Sequence, residues 1–465
     1  MWLIFLLINV ARADWKWALL RHQELMRSQA TASADPFFLS GNKNNRAESV
    51  LVDQWVDHAD PSAGKFKQQI FIDDRFGKSS QSPVLLFLCG ELKCEEGIWY
   101  GATENLAKKL GAHIIAIEHR YYGKSQPFSD LSTEHLKFLT TDQALEDLAT
   151  LQDFIRTQKK WNGPWATIGT SYGGALAAYA RAKMPDRFAA AWASSATVAP
   201  RLWFDELDSF IGSHVDVRCR KNVRSVLSQI ESALKIPSRA SSLRHEMFAD
   251  KITDDRDFIY VMADLFAWSF QSGISDQLCE KLNEQPTIET YASYGISNLV
   301  RQGIVPYDDS YQATQDTTIL ANADSMGQRQ WVYLTCTEFG FFQSFSRDPR
   351  YRLRPRTINR QFFREQCQNI FGIKKLRGRI HTAIRALYDP VVAQQDRIYF
   401  VNSELDPWRL LSVDPYYSRN PPGYPMIVVP GGHHGSDLNP TTQAASQVAD
   451  IVENKMQEWL TTPAH

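Results

Sequence analysis

Before residue 200, apolar positions fall into short continuous runs separated by stretches of helical period. The run 83–90 (PVLLFLCG) is apolar almost throughout and bounded by turn formers, the pattern of a strand covered on both faces. Similar runs occupy 113–118 (HIIAIE), 165–168 (WATI) and 188–193, with a weaker one at 66–71. Between them, 99–110 reads as a helix, as does 141–159, whose apolar residues recur at 144, 145, 148, 151, 154 and 155. The alanine-rich stretch 175–184 is a third. Strand and helix in alternation predict a mostly parallel sheet with right-handed crossovers and helices on both faces.

From about 200 to 390 the pattern changes to amphipathic helices, and four of the six cysteines lie there. This stretch is expected to be a helical cap inserted into the sheet domain. Alternation resumes with strand-like runs at 397–401 and 426–429 and closes on a helix at 441–460. The expected organisation is therefore a polar N-terminal surface segment (14–50), a first core part (51–199), the cap (200–390) and a second core part (391–465). Residues 1–13 join an apolar run to Ala11-Arg12-Ala13, a small-x-small cleavage pattern, and read as a signal peptide; a buried N-terminal helix is the alternative. No later segment reaches the ~18 apolar residues that a membrane span needs, and no repeat or low-complexity tract is visible.

Composition adds little to this picture. A chain that is 43% apolar and 22% charged, with net charge −1, is an ordinary globular protein with no pointer to nucleic acid. Thirteen tryptophans and seventeen tyrosines suit either an aromatic core or aromatic-walled pockets. Six cysteines fit an exported protein with up to three disulfides, without fixing the pairing. No CxxC occurs, so zinc is not expected, and no Asn-x-Ser/Thr sequon is present.

Chemistry enters at Gly169-Thr170-Ser171-Tyr172-Gly173-Gly174, which joins a strand to a helix. A serine at the tip of such a turn needs small neighbours, because the backbone is strained and the helix passes close to the strand. Its hydroxyl becomes a nucleophile only with a base and a carboxylate that holds the base. In α/β-hydrolases these follow late strands in the order acid, then histidine. Asp406 follows the strand at 397–401 and His434 follows that at 426–429, while Glu404 and His433 are rivals for the same roles. Ser194 and Ser195 lack the glycine setting and read as a strand end. Gly123-Lys124-Ser125 resembles the end of a phosphate-binding loop, but Glu118 stands where its leading glycine belongs. Oxyanion donors are expected from the Tyr172 N–H and from the loop Gly90-Glu91-Leu92 after an early strand.

These residues resemble the prolylcarboxypeptidase and dipeptidyl peptidase II family of serine peptidases, most closely its thymus-specific serine protease branch. The matching segments are QWVDH (54–58), EHRYYGKSQP (118–127), LSTE (131–134), the elbow, ASSA (193–196), QWVYLTCTEFG (330–340), 401–408 with LSV (411–413), and the histidine loop. The resemblance implies an α/β-hydrolase core with a helical cap and the triad Ser171, Asp406 and His434. It selects His434 over His433, because the family's histidine stands three residues before an aspartate, here Asp437. It implies cleavage of peptides, commonly after proline, with Trp408 helping to wall the proline pocket. It also implies disulfides Cys336–Cys367 and Cys219–Cys279, leaving Cys89 and Cys94 as a local bridge or two free thiols. Departures are His433 and Ala59, which replace a small residue and a Phe, and Leu92, where a second glycine often follows the glutamate.

The expected function is thus a secreted or luminal serine peptidase that takes peptide substrates, needs no cofactor or metal, binds no nucleic acid, and leaves room for a homodimer. An esterase or lipase on the same fold and a catalytically weak peptide-binding homologue are the rival readings. Whether the enzyme works from the amino end, the carboxyl end or inside chains is left open by the sequence.

Overall fold

The computed structural model describes residues 47–247, 249–296, 310–319, 327–394, 396–414 and 423–462. The expected signal peptide and all but the end of the 14–50 segment lie outside them. Eight strands form the main sheet: β1 (Glu48–Trp55), β2 (Lys65–Asp73), β3 (Val84–Leu88), β4 (His113–Ile117), β5 (Trp165–Thr170), β6 (Ala190–Ser194), β9 (Ile398–Ser403) and β10 (Met426–Val429). Their spatial order is β1-β2-β4-β3-β5-β6-β9-β10. β2 runs antiparallel to both its neighbours, and β4 through β10 are parallel. This is the α/β-hydrolase sheet.

β3 and β4 are buried throughout, which explains their unbroken apolar runs. Side chains alternate between two cores because successive residues of a strand point to opposite faces. Leu85 and Phe87 of β3 pack with Ile114, Ile168 and Trp192 beneath α1 (Ala102–Leu110) and the C-terminal helix (Gln443–Thr461). Val84, Leu86 and Leu88 face the other core with Ile115, Ile117 and residues of α2 (Thr141–Gln158) and α3 (Tyr172–Lys183). Fully burying one such side chain stabilises by about 1.5–3 kcal/mol.

β1 was not expected as a strand and begins inside the segment expected to lie on the surface. It is an edge strand with one neighbour, and of its eight residues only Val52 and Gln54 are buried, so its apolar signal is weak. α3 begins at Tyr172 rather than 175, directly after the elbow.

Between β6 and β9 the chain is mostly helical, including α4 (Glu206–His214), α5 (Val217–Leu234), α6 (Pro237–Glu246), α7 (Asp255–Gln271), α8 (Ser275–Glu284), α9 (Gln328–Leu334) and α10 (Arg360–Phe371). It also contains a short parallel pair, β7 (Arg201–Trp203) with β8 (Gly340–Phe342), that periodicity alone did not reveal. Disulfides join Cys219 to Cys279 and Cys336 to Cys367 within it, and Cys89 to Cys94 after β3, so the last pair is a local bridge.

Candidate active site

Ser171 lies between β5 and α3 with φ 58° and ψ −126°, a left-handed conformation that few non-glycine residues adopt. Its neighbours must be small. A Cβ on Gly169 would lie 2.5 Å from the Gly173 carbonyl carbon, and one on Gly173 would lie 2.4 Å from the Leu88 oxygen. The close approach of helix to sheet therefore requires both glycines. The Ser171 N–H donates to the Ser194 oxygen at 3.0 Å, tying the elbow to the end of β6.

Asp406 caps the turn Pro407–Leu411, its Oδ1 accepting from the Trp408 N–H at 3.0 Å. Its Oδ2 lies 2.8 Å from His434 Nδ1, and both residues are buried. A carboxylate only accepts, so Nδ1 carries the proton and Nε2 is left as the acceptor. Burial alone would lower the His434 pKa; the charge and hydrogen bond of Asp406, with the charges of Glu91 and Asp437, outweigh it and raise the value above 6.5.

The rivals go elsewhere. Glu404 accepts from the Gly431 N–H at 2.7 Å, and His433 turns toward the insertion, its Nδ1 3.2 Å from the Phe270 oxygen. Burial lowers the His433 pKa. Ser194 and Ser195 hold the histidine loop: Ser194 Oγ donates to Asp437 Oδ1 at 2.6 Å, and Ser195 Oγ accepts from the Gly435 N–H at 3.0 Å. Trp192 Nε1 donates to the other Asp437 oxygen at 2.8 Å. Burial pushes the Asp437 carboxyl up to about 6 despite these donors. Asp437, noticed in the sequence only for its spacing, is thus the anchor of the loop that carries His434.

Gly90 has φ +68° and packs on the first turn of α3, where a Cβ would lie 3.0 Å from the Gly173 nitrogen. Tyr172 is buried, its hydroxyl 3.2 Å from His119 Nε2 and 3.3 Å from Thr141 Oγ1. Glu91 does more than contribute backbone to this loop. Its carboxylate lines the cleft, with Oε1 3.5 Å from Ser171 Oγ.

The cleft itself opens to solvent. Ser171, Glu91 and Trp408 come from the sheet domain, and Tyr260, Trp268, Trp331 and Phe341 from the insertion. Trp408 Nε1 donates to Gln271 Oε1 at 2.6 Å, which holds the indole against the insertion. The Gln271 backbone carbonyl accepts from the His434 backbone N–H at 3.3 Å. Sequence reasoning missed Gln271, since a glutamine at a helix end carries no signal of its own. The aromatic walls were partly signalled by QWVYLTCTEFG, whose role had no assignment.

A family model described as serine carboxypeptidase S28 matches residues 54–456. This chain belongs to the serine carboxypeptidase S28 family. It is 31% identical to the probable serine protease EDA2 of Arabidopsis thaliana, over 95% of this chain and 90% of that protein. It is 25% identical to the mouse thymus-specific serine protease, covering 85% of this chain and 84% of that one. With the bovine lysosomal Pro-X carboxypeptidase it shares 26% identity over 88% and 87% of the two chains. Among solved structures, a proline iminopeptidase of Mycobacterium smegmatis aligns over 89% of this chain and 99% of its own, at 12% identity and a TM-score of 0.42. Membership of this family makes the chain a serine-type peptidase, and its sheet is that of an α/β-hydrolase.

Two segments that carry the S28 resemblance are braces rather than parts of the cleft. Arg120 is fully buried, with Nε and Nη2 on the Asp147 carboxylate at 2.8 and 2.6 Å. Its remaining donors reach the carbonyls of Trp55, Val56 and Phe138. His58 Nε2 also meets Asp147, at 2.8 Å. QWVDH and EHR therefore meet on α2. Glu118 closes the turn that resembled a phosphate loop, accepting from the N–H groups of Lys124 and Ser125 and from Ser125 Oγ. The same carboxylate accepts from the Cys94 N–H at 3.1 Å and so steadies the loop that carries Glu91.

Proposed function

We propose that this S28 peptidase cleaves peptides on the carboxyl side of proline through an acyl-enzyme, with Ser171 as nucleophile, His434 as base and Asp406 as its orienting partner. Ser171 Oγ attacks the scissile carbonyl as its proton passes to His434 Nε2. The Tyr172 N–H and the Gly90-Glu91 backbone receive the oxyanion. His434 returns the proton to the leaving amine, and water, activated by the same imidazole, releases the acyl group. The observation that carries this reading is the Asp406–His434 hydrogen bond of 2.8 Å, joined by the loops after β9 and β10 in the same fold that strains Ser171 to φ 58°.

The proline preference is supported by the flat apolar walls of the cleft, Trp408 above all, since an indole buries a pyrrolidine ring without demanding a donor. It is also supported by the relative named as a Pro-X carboxypeptidase. Three disulfides fit the secretory pathway, and among the described residues no helix is long and apolar enough to cross a membrane. Residues 1–13 would direct the chain there as a cleaved signal peptide.

A fluorophosphonate probe tests the nucleophile. Wild-type protein should be labelled and Ser171→Ala should not; labelling that survives the substitution would overturn the assignment. Pro-containing peptides and chromogenic esters assayed side by side should show peptide turnover, and ester turnover alone would instead favour an esterase.

A further inference from the structure

The segment QWVYLTCTEFG (330–340) brings Glu338 from the insertion onto the sheet domain. Its carboxylate lies 2.6 Å from Thr141 Oγ1 and accepts from the Thr141 backbone N–H at 3.0 Å. Thr141 Oγ1 lies 3.3 Å from the Tyr172 hydroxyl, which in turn lies 3.2 Å from His119 Nε2. His119 Nδ1 is 2.7 Å from the Arg120 carbonyl oxygen. The insertion, α2, α3 and the loop after β4 thus meet in one chain of hydrogen bonds. None of Glu338, Thr141 and His119 is among the described residues that line the cleft, so the mechanism above gives them no role.

The hydrogens available along that chain set its direction. A carbonyl only accepts, so His119 Nδ1 carries the proton and Nε2 accepts. The ring has one proton to give, because burial lowers its pKa to about 4. The Tyr172 hydroxyl therefore donates to His119, and the hydrogen between Thr141 and Tyr172 must come from Thr141. That hydroxyl has a single hydrogen. An ionised Glu338 draws it across the 2.6 Å contact, leaving Thr141 and Tyr172 to face each other as two acceptors. A protonated Glu338 donates to Thr141, Thr141 donates to Tyr172, and every contact holds a hydrogen. Burial pushes the Glu338 carboxyl up to about 7 against the Thr141 hydrogen bonds; Asp142 of α2 adds to the rise and Lys183 of α3 opposes it. Lys183 is itself paired with Asp142. Tyr172, Tyr179 and Tyr333 also lie within electrostatic reach, and burial raises the pKa of each. On the helix Leu376–Ala383, packed on the same turn, Arg377, Arg379 and His381 are exposed.

We propose that Glu338 is a positioning residue that acts as a protonated donor, holding Tyr172, and with it the oxyanion N–H, in place from the insertion. The inference rests on the reading of Ser171 and Tyr172 above and deepens it. Ser171 gives α3 no side-chain cap, so the first turn of that helix needs another anchor. The buried Tyr172 ring supplies it, tied at its hydroxyl and packed on Trp331 and Phe339 with ring centroids 5.9 and 5.3 Å away. A donor N–H stabilises the oxyanion only if it is already in place when the charge develops. Ionisation of Glu338 removes one link of the anchor without touching the substrate, so its effect falls on the rate of attack by Ser171 rather than on substrate binding.

The test is the second-order rate at which an uncharged fluorophosphonate labels the full-length enzyme, measured across pH. A glutamine amide in place of the carboxyl donates to Thr141 Oγ1 and accepts from the Thr141 N–H at every pH, as the acid does only when protonated. His434 titrates in both enzymes and cancels in their ratio. The rate of Glu338→Gln relative to wild type should be constant below about pH 6 and climb about fivefold by about pH 9, the effect of one hydrogen bond. Tyr172→Phe keeps the backbone N–H and loses the hydroxyl; it should be about fivefold slower than wild type in acid, with the deficit closing as pH rises. A merely structural role would lower either rate by a factor independent of pH. A flat ratio in Glu338→Gln therefore overturns the proposal, and where that variant fails to fold, a flat ratio in Tyr172→Phe does so. Labelled wild type with flat ratios would sink this inference alone. Labelling that survives Ser171→Ala, or wild type unlabelled at any pH, would sink the nucleophile reading and this with it.

Discussion

His433 and His434 are adjacent in sequence, yet the fold gives them different partners. His434 meets Asp406 at 2.8 Å, while His433 meets the Phe270 carbonyl at 3.2 Å. Ala substitution of His434 should therefore cost several orders of magnitude in kcat, and the same change at His433 about tenfold or less, as measured by steady-state kinetics on one peptide. The pH profile follows from the same contact. As the proposed base, His434 works only when neutral, and against the pull of burial its pKa is raised above 6.5, chiefly by Asp406. Activity should accordingly be low in acid and rise through a kcat/KM limb above pH 6.5. Asp406→Asn should lower kcat by ~10⁴-fold, and any residual activity should show its limb displaced to lower pH, because burial then acts unopposed by that charge. A limb that stays put in Asp406→Asn would remove the carboxylate from its assigned role.

At the level of elements, the sheet and the elbow were legible because their signals are local. An unbroken apolar run such as 83–90 or 113–118 needs no partner to be recognised, and a glycine pair around a serine marks a close helix-to-strand approach. β1 escaped because an edge strand half open to water leaves a mixed pattern. The β7–β8 pair escaped because two three-residue strands, far apart in the chain, have no periodicity to read. The Arg120–Asp147 brace was equally hidden, since nothing in either residue says that it is buried. Arg120→Ala should leave the Asp147 carboxylate buried without its guanidinium partner. The expected loss is about 3–5 kcal/mol of stability, seen as a lower urea midpoint at unchanged slope. A variant as stable as wild type would show that the brace contributes nothing net.

For the whole molecule, the insertion is both a wall of the cleft and a separately cross-linked body. Its two disulfides close loops of 60 and 31 residues, against 5 for Cys89–Cys94. Loop entropy then predicts that removing Cys219–Cys279 as a double alanine variant costs about 4 kcal/mol, and Cys89–Cys94 about half as much. Thermal unfolding of the two double variants should rank them in that order. The short bridge should instead weigh on catalysis, since it closes the loop that holds Glu91 beside Ser171. Equal losses of stability would mean that packing around the bridges outweighs chain entropy.

The chain order of Ser171, Asp406 and His434, the parallel sheet and the helical insertion could all be read along the sequence, because each depends on neighbours close in the chain or on a repeating period. The open choices were Glu404 against Asp406, His433 against His434, and the state of Cys89 and Cys94. The family resemblance had already selected Asp406 and His434, and tertiary structure supplied the contacts behind that selection. It also brought the Glu91 side chain to 3.5 Å from Ser171 Oγ. Those outcomes depend on distances between segments that only folding brings together, and on burial, which decides whether a charge is silent at the surface or must find a partner.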